Sequence, residues 1–109
     1  MNKPTRFYSN KQEKAVAKKL GGKQVANSGA TAFSKGDVRT DDWLIECKTV
    51  ITEKQSFSIK KAWLTKNREE AFAMKKSYNA LCFDFGDASR YYVVDERTFL
   101  KMKEALENE

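Results

Sequence analysis

The residues best suited to chemistry sit in one stretch of the chain. Residues 34–49 read Ser-Lys-Gly-Asp-Val-Arg-Thr-Asp-Asp-Trp-Leu-Ile-Glu-Cys-Lys-Thr. Asp37 follows a glycine, and Glu46 and Lys48 flank Cys47 inside an otherwise apolar run. Successive side chains of a strand point to opposite faces. A strand here puts Leu44, Glu46 and Lys48 on one face and Trp43, Ile45 and Cys47 on the other. A carboxylate and an ammonium on such a strand are costly unless paired or engaged by a metal. Two nearby carboxylates, Asp37 and Glu46, can hold Mg²⁺ or Mn²⁺, hard cations that take oxygen ligands, and the backbone carbonyl of Cys47 can join them. Lys48 can position an attacking water or stabilise charge on a phosphoryl oxygen. The plainer reading of Glu46 and Lys48 is a same-face salt pair worth only ~0.2–1 kcal/mol. Against it stand Gly36-Asp37 and the run Trp43-Leu44-Ile45, which implies burial on both sides.

Composition narrows the chemistry further. The chain has 109 residues and no histidine. That removes Ser-His triads, histidine bases, HNH-type sites and His-containing zinc sites. Any catalysis must run on carboxylates, lysines, hydroxyls, thiols or a metal held by carboxylates. Net charge is +6, a balance that favours polyanion partners such as nucleic acid or serves only as solubility charge. Cys47 and Cys82 lie in apolar runs without CxxC spacing, which reads as buried free thiols in a reducing cytosol. No apolar run approaches the ~20 residues of a membrane span. The N-terminal segment is polar and basic, unlike a signal peptide, so the expected location is cytoplasmic.

The elements that must position these residues form one expected domain, residues 1–109. Residues 1–8 read as a basic lead-in. Ser9 or Asn10 can cap a helix ending at Leu20 before Gly21-Gly22. On it Glu13, Val16, Ala17 and Leu20 share a face, so Glu13 either closes a capping box with Asn10 or points inward beside the site. Residues 23–26 read as a short strand and 27–36 as a loop. Residues 37–39 and 43–50 pair as a hairpin about Thr40-Asp41-Asp42, with aspartates making the turn's local bonds. That hairpin can bring Asp37 to Glu46. Ser58 can cap a helix over 59–77 that is interrupted by a polar middle. Residues 79–85 and 90–94 read as strands joined by a turn. Asp95 then caps a last helix carrying Phe99, Met102 and Leu106, and residues 104–109 are expected to fray. The order is α–β–ββ–α–β–β–α, an α/β layered fold. Trp63 and Tyr78 read as core. The basic residues of the 54–76 region read as a solvated face, as phosphate contacts, or as both.

Gly36-Asp37 followed by Ile45-Glu46-Cys47-Lys48 resembles the split motif of the PD-(D/E)xK nuclease superfamily, with Gly36 where the proline would stand. Within it, the order Glu13, Ser28-Gly29, Asp37, Glu46, Lys48 is most similar to archaeal and phage Holliday-junction resolvases. The resemblance implies a restriction-endonuclease-like core, with a central mixed sheet flanked by helices. It implies a Mg²⁺-dependent endonuclease, with Mn²⁺ able to substitute, cutting branched DNA as a homodimer. Asp37, Glu46, Lys48 and Glu13 would then be catalytic, and Ser28, Lys35, Lys54, Lys60 and Lys61 would contact nucleic acid. The alternative is a non-catalytic or partner-dependent nucleic-acid-binding module on the same fold.

Overall fold

A computed structural model describes residues 5–25 and 36–109. Helix α1 (Thr5–Leu20) leads into strands β1 (Lys23–Gln24), β2 (Gly36–Arg39) and β3 (Trp43–Lys48). Helix α2 (Lys61–Ala73), strands β4 (Tyr78–Asp84) and β5 (Arg90–Val93), and helix α3 (Glu96–Glu107) follow. The element order expected from the sequence is the order observed. The strands form one sheet in chain order, antiparallel throughout except that β3 and β4 run parallel. A parallel pair needs a crossover, and α2 supplies it. The result is a small α/β domain with a mixed sheet.

The core forms because β3 and β4 bury apolar side chains on both faces of the sheet. Val38, Ile45, Cys47, Ala80 and Cys82 pack against Val16 and Ala17 of α1, with Trp43 and Val94 at the margin. Alternation directs Leu44, Leu81 and Phe83 to the other face, and all three are buried. There Asn67 of α2 is buried and donates Nδ2 to the Ala80 carbonyl at 3.0 Å. Such a bond fixes the rotation of α2 over the sheet, because a buried amide left without it would cost ~1–3 kcal/mol.

Several boundaries differ from the sequence reading. Helix α1 begins by Thr5, so residues 5–8 are helical and Asn10 to Glu13 lie mid-helix rather than at a cap. It stops where expected. Gly21 takes φ +67° and Gly22 N–H donates to the Ala17 carbonyl at 2.8 Å, a left-handed closure that glycine makes without a Cβ clash. Helix α2 begins at Lys61, with Lys60 at the N-cap position and no side-chain cap bond, so Ser58 does not cap it. It runs unbroken through the polar middle and ends at Ala73. Lys75 then takes φ +59°, with Lys75 N–H to the Phe72 carbonyl and Lys76 N–H to the Ala71 carbonyl. Strand β1 is two residues long and β3 ends at Lys48. Asp95 caps α3 as expected, accepting from Thr98 N–H at 2.8 Å. That helix continues to Glu107, so residues 104–107 hold their turns rather than fray.

Candidate functional site

The 40–42 turn closes the hairpin that carries the acids. Thr40 sets it: its hydroxyl accepts from Trp43 N–H at 3.0 Å and its own N–H donates to the Trp43 carbonyl at 3.0 Å. A hydroxyl thus makes the bond expected of Asp41 or Asp42. The register that follows pairs Asp37 directly with Glu46 across β2 and β3. Directly opposed residues of an antiparallel pair point to one face, with Cβ atoms ~4.5–5.5 Å apart. The two carboxylates are 3% and 6% exposed. Two acids so placed repel, and their site favours any cation that enters it.

Lys48 brings one positive charge to them. Its Nζ lies 4.0 Å from Glu46 Oε2. The same ammonium sits 4.2 Å from the centroid of the Trp63 ring on α2, and Lys60 Nζ lies 5.7 Å from that centroid. Trp63 is therefore a platform that holds two lysines, rather than a plain core residue. Attraction to the ring face, about 0.5–1 kcal/mol at a half-exposed position, orients Lys48 without neutralising it. Phe57 supports the platform, 6.2 Å from Trp63 and stacked 4.5 Å from Phe83. Lys54, Lys60 and Lys61 are exposed in the segment before α2 and at its first turn. Lys54 N–H is anchored to the Phe85 carbonyl at 2.8 Å.

Glu13 points inward. It is 5% exposed on α1, and Gln24 Nε2 donates to its Oε1 at 3.5 Å. Cys47 lies beside Cys82, its register partner on β4, and both are buried free thiols. The Cys47 thiol is pushed well above the usual range by its hydrogen bond with Cys82, by burial, and by the Glu13 and Asp37 charges. Nearby, burial and the Cys82 thiol raise the Tyr92 hydroxyl to about 12. The Cys47 thiol therefore stays protonated at neutral pH and is not a nucleophile, whereas the hydrogen bond with Cys47 shifts the Cys82 thiol downward. Among the described residues, no three or more His, Cys, Asp or Glu side chains gather into a cation cage. The Asp37–Glu46 pair nonetheless fits Mg²⁺, which needs only one or two protein carboxylates and takes water and phosphate oxygens for the rest.

Sequence reasoning missed Gln12. It is buried, and its Nε2 donates to the Lys48 carbonyl at 3.1 Å and to Asp84 Oδ2 at 3.2 Å. Its Oε1 accepts from the Thr49 hydroxyl at 2.6 Å. One side chain thus ties α1 to the carboxyl ends of β3 and β4, the end of parallel strands where ligands bind in open α/β sheets. The signal was present, since Gln12 stands four residues before the core residue Val16 and shares its face. Ser28 and Lys35 lie outside the described residues.

Comparison of the chain with family models, curated proteins and solved structures returned no match.

Proposed function

We propose that this protein is a metal-dependent DNA endonuclease that hydrolyses phosphodiester bonds, with branched DNA as its substrate. The observation that carries the reading is the buried Asp37–Glu46 pair, in direct register, with Lys48 beside it at the carboxyl end of a parallel strand. Asp37 and Glu46 would hold Mg²⁺, or Mn²⁺ in its place, with the Cys47 carbonyl and Glu13 adjoining. Bound there, the ion would supply Lewis acidity toward a phosphoryl oxygen. Lys48, steadied over Trp63, would orient the attacking water and stabilise charge gathering on the phosphoryl oxygens. Lys54, Lys60 and Lys61 would hold flanking phosphates, a contact that sets position rather than sequence. Ser28 and Lys35, outside the described residues, would add to that contact.

A two-fold pair of chains would give two equivalent sites for symmetric cutting. The exposed Phe99, Met102 and Leu106 of α3 offer an apolar surface for such pairing. The resemblance to the PD-(D/E)xK resolvases and the excess of lysine support the same reading. The second reading, a non-catalytic or partner-dependent nucleic-acid-binding module, uses the same exposed lysines and needs neither acid.

The test is incubation with labelled four-way junction, flap, linear duplex and single-stranded DNA, with Mg²⁺, with Mn²⁺ and with chelator. The nuclease reading expects metal-dependent cutting with the junction preferred. Binding without cutting of any DNA would leave the second reading in its place.

A further inference from the structure

At the opposite end of the sheet from Lys48, the end of α2, the start of β4 and the first turn of α3 enclose an open cleft of about 510 Å³. Arg68, Lys76, Arg97 and Lys101 line it against one carboxylate, Asp95. That carboxylate is committed to capping α3, and its bond from Thr98 with the nearby arginines holds its pKa below the usual range. Two of the cations have fixed seats. Lys76 Nζ donates to the Thr40 and Asp41 carbonyls at 2.7 and 3.1 Å, and Lys101 Nζ lies 5.5 Å from the centroid of the Tyr78 ring. Four cations around one concavity raise the local concentration of anions. The same cleft carries Phe72, a residue 85% exposed. A bare aromatic ring beside cations matches a polyanion with free π-faces, namely an unpaired nucleic-acid strand. Bases of an unpaired strand can stack on such a ring, whereas a duplex keeps its bases stacked inside.

We propose that this cleft binds a single-stranded nucleic-acid segment, with phosphates on Arg68, Arg97 and Lys101 and a base on Phe72. Five residue steps of β3 separate Trp43, at the cleft end, from Lys48, a rise of about 17 Å. A single strand long enough to cover that rise could contact both. That path rests on the nuclease reading of the Lys48 site; binding in the cleft does not.

The experiment is fluorescence anisotropy of a labelled oligothymidylate, in chelator and across a salt series. Arg97→Glu and Lys101→Glu are compared with Lys103→Glu, which makes the same charge change on α3 outside the cleft. The cleft variants are expected to bind about tenfold more weakly, with the salt slope smaller by ~0.7 per lost phosphate contact. Phe72→Ala is expected to lose at least about fivefold with an unchanged slope. Lys103→Glu is expected to stay within about twofold of the wild type. Cleft variants that lose no more than Lys103→Glu overturn the proposal, even if the wild type cleaves DNA. A wild type that binds through the cleft yet cleaves nothing removes the nuclease reading and leaves the cleft.

Discussion

Gln12→Ala is the most informative perturbation of the scaffold around the acids. The substitution removes three hydrogen bonds, at 2.6, 3.1 and 3.2 Å, to the Thr49 hydroxyl, the Lys48 carbonyl and the Asp84 carboxylate. Each is worth ~1 kcal/mol net, somewhat more for the bond to Asp84, so the loss should be about 3 kcal/mol. For a domain of this size each kcal/mol moves Tm by ~4 °C, which makes the expected drop about 12 °C. Thermal unfolding followed by circular dichroism measures it. Thr49→Val removes only the shortest of the three bonds, and the pair should show a coupling of ~1 kcal/mol in a double-mutant cycle. A Tm within about 2 °C of wild type, or strict additivity of the two substitutions, would refute the clamp. The clamp also steadies Lys48, so the nuclease reading expects the cleavage rate of Gln12→Ala to fall more than DNA affinity does.

Three further outcomes follow from local geometry. Lys75→Gly should raise stability by about 0.5–1 kcal/mol in urea unfolding, because a lysine at φ +59° carries a left-handed strain that glycine lacks. Gly86→Ala should lower it by at least ~1–3 kcal/mol, since Gly86 sits at φ +86° and a Cβ there would lie 2.7 Å from Glu53 Cα. Asp95 contributes through a folded pKa held below its ordinary value by the bond from Thr98 N–H. That contribution is present above the unfolded pKa and disappears as pH falls through the folded one. The stability gap between wild type and Asp95→Ala, about 1 kcal/mol at neutral pH, should therefore narrow on acidification below pH ~4.

Much of this fold could be read from local pattern because the decisive signals are local. Alternation over Trp43 to Lys48, the glycine pair after Leu20 and the aspartate before Glu96 each act within a few residues. The Asp37–Glu46 pairing could also be read, since a short turn between two strands leaves few registers. The boundaries that were missed depend on contacts distant in sequence. Helix α2 is held by Asn67 reaching the Ala80 carbonyl, not by a hydroxyl at its start. Trp63 reads as core from its type alone; only the crossover of α2 over β3 brings it under Lys48. Gln12 stayed invisible because its three partners stand 36, 37 and 72 residues away.

The most direct test of the Asp37–Glu46–Lys48 site is single-turnover cleavage of labelled four-way junction in Mg²⁺ by the wild type and by Asp37→Ala, Glu46→Gln and Lys48→Ala, with DNA affinity measured in parallel. The predicted result is cutting by the wild type, a loss of at least about a hundredfold in rate in each variant, and affinity within a few-fold of wild type. Cutting by Asp37→Ala at the wild-type rate, or no cutting by the wild type with either Mg²⁺ or Mn²⁺, would contradict it.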